Sequence, residues 1–244
     1  TDGEYIVAGS NDVYLYDSLG TKLWTYDGDD HSTSVAISSN GDYIVASFST
    51  NDGGLYLFDK DSNTPLWSYI SDYHITNVAM SSDGEYIVVT ESTGNIYLFD
   101  KDSNTPLWSY YADTLWRSIS ISADGEYIVA GSGSGSDSQD EKVYFFDKDS
   151  STPLWSYSTD GGVTSVSISA DGEYIVAGSH DYKVYLFDKD SSTPLWDYES
   201  VSSVTSVSIS ANGQCIIAGE QGDGDDNRRS SVFSLSSGIP ILDI

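Results

Sequence analysis

Three observations predict an all-β fold of six similar sheets arranged as a ring, a β-propeller. A phrase written DGEYIVAGS opens at Asp2 and recurs with small changes from Asp83, Asp124 and Asp171, with looser forms at Asn40 (NGDYIVASF) and Asn212 (NGQCIIAGE). Five tryptophans, Trp24, Trp67, Trp108, Trp155 and Trp196, return every 41–47 residues, and Leu242 takes that place in the last copy. The chain holds 19 tyrosines and 22 glycines in 244 residues and is poor in helix formers, as β-proteins are. A unit of about 40 residues containing four strand-like runs is the signature of a propeller blade. The copies predict six blades of four antiparallel strands at residues 1–26, 32–69, 75–110, 116–157, 163–198 and 204–244, forming one domain over 1–244.

The fifth copy shows each run. Run A, Val166-Ser167-Ile168-Ser169, alternates aliphatic and serine, the period of a strand with two unlike faces. An Asp-Gly or Asn-Gly pair follows, a hairpin signal because glycine accepts positive φ. Run B, Tyr174–Ala177, is nearly all apolar, as a strand covered on both faces must be. Run C, Val184–Phe187, ends at Asp188. The polar turn Lys-Asp-Ser-Ser-Thr-Pro then leads into run D, Pro194-Leu195-Trp196-Asp197-Tyr198. Proline is tolerated at the first residue of an outer strand, where no central ladder bond is lost. The first copy has B, C and D only, so its blade lacks the innermost strand and exposes a ladder edge at Tyr5–Ala8. An exposed edge is adhesive. The chain opens in mid-repeat at Thr1, and it is expected to be a monomer or to take a strand supplied by another segment.

FDKDSSTPLW at 187–196, with its first-copy form YDSLGTKLW at 16–24, resembles the repeat of quinoprotein-type (PQQ-like) propellers. SADGEYIVAGSHDYKVYLFD at 169–188 looks like a WD repeat, with Phe187-Asp188 where Trp-Asp would stand. The resemblance covers nearly the whole chain and implies the propeller fold. It does not imply one activity, since these propellers host unrelated roles. The Gly-His dipeptide of WD repeats is absent. The quinone-dependent dehydrogenases of this resemblance have eight blades and a dedicated cofactor cage, which six blades and a single cysteine do not match.

The formal charge is −28, from 38 acidic and 10 basic residues. A nucleic-acid partner requires basic patches that displace phosphate counterions, so that class is excluded, as is an anionic membrane surface. The lone Cys215 stands where other copies have Tyr and reads as a strand residue; no disulfide can form within the chain. No apolar run approaches a membrane span, and no signal peptide stands in these residues. The acidic, Tyr/Ser/Gly-rich surface favours an extracellular or cell-surface location.

Departures from the repeat gather in the D–A and B–C connections, which share one face of a propeller. His31 and His74 hold equivalent places, and His180 lies in a B–C loop. The fourth copy reads Leu115-Trp116-Arg117 where others have Thr at the Arg117 position, and Tyr73 and Tyr111 adjoin. Together His31, Tyr73, His74, Tyr111, Trp116, Arg117 and His180 are expected to form an aromatic, partly cationic ligand-binding surface. Trp and Arg are the residue types favoured at interaction hot spots. No cofactor is expected. Calcium is the one candidate cation, on Asp223, Asp225 and Asp226 of the loop GEQGDGDDNRRSS, where oxygens cluster on a turn. Asp59-Lys60-Asp61-Ser62-Asn63 mimics half of a calcium loop, but lacks its glycine and final glutamate and reads better as an Asx turn. No nucleophile elbow or phosphate-binding loop is present. The expected function is a non-enzymatic scaffold binding a protein, peptide or glycan. The alternatives are a carbohydrate-active hydrolase or lyase with its site at the channel mouth, and a structural module of a longer cell-surface protein.

Overall fold

The computed structural model describes residues 3–28, 31–49, 54–133, 140–222, 230–234 and 240–243. These form 23 strands in six antiparallel sheets, with no helix among the described residues. Contacts divide the chain into two compact units, Thr1–Ala112 and Asp113–Ile244.

The first unit holds three sheets. They are β1 (Tyr5–Gly9), β2 (Asp12–Asp17) and β3 (Lys22–Asp27); then β4 (Ser32–Ile37), β5 (Tyr43–Phe48), β6 (Gly54–Asp59) and β7 (Trp67–Ile70); then β8 (Ile75–Met80), β9 (Tyr86–Glu91), β10 (Asn95–Asp100) and β11 (Trp108–Tyr111). The second holds β12 (Trp116–Ile121), β13 (Tyr127–Ser132), β14 (Lys142–Asp147) and β15 (Trp155–Ser158); β16 (Val163–Ile168), β17 (Tyr174–Ser179), β18 (Lys183–Asp188) and β19 (Trp196–Glu199); and β20 (Val204–Ile209), β21 (Cys215–Glu220), β22 (Ser230–Ser234) and β23 (Pro240–Asp243). Every sheet is a meander whose strands pair in chain order. Five sheets have four strands and the first has three, as the missing run A requires. Run D differs in one respect. In the copies carrying Pro-Leu-Trp it begins at the tryptophan, and Leu195 lies ahead of the strand with its N–H on the Leu186 carbonyl at 2.7 Å.

The core lies between neighbouring sheets. Val129, Val143 and Phe145 of one sheet interleave with Ile175, Ala177 and Phe187 of the next, and the same pattern recurs inside the first unit around Val45, Leu57, Ile87 and Phe99. Each fully buried side chain of this size contributes about 1.5–3 kcal/mol. Polar staples fix the spacing. Trp24, Trp67 and Trp155 donate Nε1–H to the carbonyls of Lys60, Lys101 and Lys189 in the next sheet's C–D turn, at 2.8, 2.6 and 2.7 Å. That explains why the tryptophan and the Asp-Lys-Asp turn repeat together. In those turns Asp59 Oδ1 accepts the Asp61 N–H at 2.8 Å and Asn63 Nδ2 donates to the Thr25 carbonyl, which is Asx-turn chemistry with a cross-sheet tether.

Two glycine positions are set by geometry. The turn glycines Gly41, Gly84, Gly172 and Gly213 have φ of +72° to +79°, and a Cβ there would strike Tyr5, Tyr43, Tyr127 and Tyr174 of the preceding sheet. The run-B glycines Gly131 and Gly178 leave room for Val163 and Val204, the first residues of the next inner strand.

Candidate functional site

Each inner strand carries the same defect. Its register shifts between the first and third residues in β4, β8, β12, β16 and β20, so the second residue is bulged out of the ladder. A bulge re-aims a side chain. At Thr76, Thr164 and Thr205 the hydroxyl turns back and donates to the carbonyls of Thr90, Gly178 and Gly219, at 3.3, 2.9 and 3.1 Å. In the fourth sheet Arg117 takes this place. Its Nε donates to the Gly133 carbonyl at 2.6 Å, reproducing the threonine bond, while the side chain stays exposed. Among the described residues no carboxylate forms an ion pair with it.

The residue before each inner strand also has a common task. The carbonyls of His31, His74, Leu115, Gly162 and Ser203 accept the N–H groups of Ser49, Ser92, Gly133, His180 and Gln221 at 2.8–3.0 Å, tying each D–A connection to its B–C connection. The backbone is reused while the side chain varies, so His31 and His74 are both exposed. Trp116 opens β12 at the position of Ile75, Val163 and Val204. It is only 4% exposed and packs edge-on against Tyr144, ring centres 5.2 Å apart. It therefore braces the strand beneath Arg117 and offers solvent little of its ring.

In the second unit these loops form a connected line. A side chain on Gly133 would collide with the Gly162 backbone, and one on Gly162 would touch the His180 ring. His180 Nδ1 lies 2.6 Å from Ser203 Oγ. Asp181 accepts the N–H groups of Asp160 and Lys183 and the Tyr185 hydroxyl, at 3.1, 3.0 and 2.7 Å. Burial, and then this carboxylate, raise the Tyr185 phenol far above its ordinary pKa, so it serves as a fixed donor. The next residue, Tyr182, is exposed and holds φ +71° at the turn position where the third sheet has Gly94 at +96°. In the first unit Tyr73, His74 and Tyr111 are exposed, with the Tyr73 N–H on Ser71 Oγ at 3.1 Å.

Arg117 and His180 are thus joined through Gly133 and Gly162 on one face of one unit. The sequence reading passed over Gly133, Gly162, Asp181, Tyr182 and Ser203. The Gly161-Gly162 pair, and a tyrosine where a sister copy has glycine, were the signals available. Asp223, Asp225 and Asp226 lie outside the described residues. Within the described residues no group of three or more His, Cys, Asp or Glu is placed to hold a metal ion, and no helix is long and apolar enough to cross a membrane.

The model of the family described as outer membrane protein assembly factor BamB matches residues 9–210, and the chain belongs to that family. A solved structure titled "Crystal Structure of Mitotic Checkpoint Complex" superimposes with a TM-score of 0.79 at 18% identity, covering 98% of this chain and 76% of the other. That likeness shows the fold. None of the curated proteins matches. The six sheets are the blades of a β-propeller of the PQQ-like and WD-repeat kind, in keeping with the resemblance carried by FDKDSSTPLW and SADGEYIVAGSHDYKVYLFD. Fold and family together suggest a protein-interaction scaffold.

Proposed function

We propose that this member of the BamB family is a non-enzymatic interaction scaffold that binds a protein, peptide or glycan segment bearing a carboxylate through its D–A/B–C loop face. The observation that carries the reading is Arg117, a cation with no ion pair among the described residues in a chain of net charge −28, posed by a bulge and by the Gly133 carbonyl. A guanidinium held by one nitrogen keeps its terminal N–H groups for bidentate recognition of a carboxylate. Trp116 supports it from below, and His180 extends the surface along the same unit. In the other unit His31, Tyr73, His74 and Tyr111 offer exposed aromatic and imidazole groups of the kind enriched in interfaces. The family description supports a protein partner and a role outside the cytoplasm.

Arg117→Thr restores the residue of the sister copies and a hydroxyl for the Gly133 carbonyl, so the fold is expected to persist. On arrays of carboxylate-bearing peptides and acidic glycans, the parent chain should give binders that the variant loses at least tenfold, about 1.4 kcal/mol. Binding that is the same for parent and variant, or no arginine-dependent binder at all, overturns the reading.

A further inference from the structure

The first sheet lacks an inner strand, and the other sheets display what covers that place. In the fifth blade β16 pairs with β17 through Val166↔Ala177, Ser167↔Val176 and Ile168↔Ile175. The chain of β17, YIVAGS, is repeated letter for letter at 5–10, where β1 has β2 on one side and no strand on the other. Ile6 is 52% exposed, whereas Ile44, Ile87, Ile128, Ile175 and Ile216, its counterparts in the five complete blades, are fully buried.

A cavity of about 230 Å³ lies beside this edge, lined by Gly9, Ser32, Ser34 and Val35. Its chemistry is that of a strand-shaped vacancy. Inner strands of adjacent blades are tied by a serine. Val78, Val166 and Val207 donate their N–H groups to Ser34, Ser118 and Ser165 of the preceding inner strand, at 3.2, 3.0 and 3.1 Å. Val35 holds the same register on β5, through Val35↔Ala46, and its counterpart acceptor would come from the strand that β1 lacks. Ser32 Oγ is buried with no hydrogen-bond partner among the described residues. Ser32 also stands where Ile75, Trp116, Val163 and Val204 fill the corresponding space, so the room and the unmet hydroxyl have a second source in its small polar side chain.

We infer that the inner edge of β1 is a docking site for an extended segment of run-A chemistry: alternating β-branched residues and serine, with serine opposite Gly9 and isoleucine opposite Ile6. Such a strand adds ladder bonds to β1, offers the serine hydroxyl that Val35 awaits, and covers part of Ile6. This is β-augmentation, in which main-chain bonds supply affinity and alternate side chains supply register. An unpaired edge of this length favours capture of a strand.

The probe is a labelled peptide of residues 162–169, GVTSVSIS, titrated into the intact chain with anisotropy and hydrogen exchange as readouts. Expected are saturable binding with half-saturation below about 100 μM, slowed exchange at the amides of 6–10, and none of that slowing at 215–220. The peptide carrying Ser167→Pro loses a ladder donor and should bind at least tenfold more weakly. A second measurement places VTSVSIS directly ahead of Thr1, in the spacing of 163–170. This should raise Tm by several degrees and abolish binding of the free peptide. The inference is overturned by no saturation at about 1 mM, by equal binding of the proline peptide, by protection elsewhere, or by an unchanged Tm of the extended chain. It is likewise overturned if the unextended chain self-associates with 6–10 already protected, because a second copy would then occupy the edge.

Discussion

The first and fifth blades contain the same six letters, YIVAGS, in the same strand position, and the two copies live in different surroundings. In β17 the isoleucine is sealed between an inner strand and the neighbouring sheet; in β1 half of it faces water. On its other side β1 behaves normally. Val7 packs with Val13, Leu15 and Phe58, and Trp24 makes the same Nε1 bond to the next blade's turn that Trp155 makes. The lesson is that strand formation here is local and burial is not. A hydrophobic run of four or five residues becomes core only where its neighbours exist.

The largest expected effect breaks this comparison directly. Ile175→Ala should cost about 2–5 kcal/mol in denaturant unfolding, as core truncations do, and Ile6→Ala should stay within about 0.5–1 kcal/mol. Equal losses would mean that β1 is covered in solution.

A smaller effect compares the B–C turns of two units. Tyr182 holds a left-handed backbone that costs a non-glycine residue about 1–2 kcal/mol, and Gly94 holds its counterpart without that cost. Tyr182→Gly should stabilise by up to about 1 kcal/mol, and Gly94→Ala should destabilise by a similar amount, both read by thermal unfolding. If Tyr182→Gly is destabilising, the exposed ring contributes packing that outweighs the strain.

The smallest is a titration. Hydrogen bonding from Ser169 on run A lowers the Asp171 carboxyl below its ordinary 3.8, whereas in the first blade Asp17 is lowered chiefly by the Thr21 backbone N–H. Both folded pKa values are depressed. The stability they contribute is therefore present above the unfolded value and is lost as pH falls through the folded one, in a window below about pH 4. Followed by carboxyl NMR, Ser169→Ala should move the Asp171 midpoint upward and leave Asp17 where it was. Movement of both would show that the two turns are coupled.

Much of this was legible in the residues. The repeat is long and its punctuation strong, so the strand runs, the hairpin turns and the absent first inner strand could be read directly. The tryptophan period predicted a docking role, and its partner, a lysine carbonyl one blade on, lies 34–36 residues away where no local rule reaches. The candidate site was half legible. Departure from the repeat pointed to Trp116 and Arg117, but not to their opposite roles. One letter apart, they fall on either side of a bulge, and the bulge buries the first and turns out the second. Residues that keep to backbone duties, such as Gly162 and Ser203, carry no unusual chemistry and gave no signal.

By itself the chain determined its period, its strands, its turn chemistry and its charge, because each rests on neighbours within about ten residues. Only the tertiary structure decided which identical letters are core, which aromatic is a brace, and where a cation stands without an ion pair among the described residues. Those outcomes depend on surfaces meeting across one whole repeat, and a linear pattern holds no record of what lies on the other side of a strand.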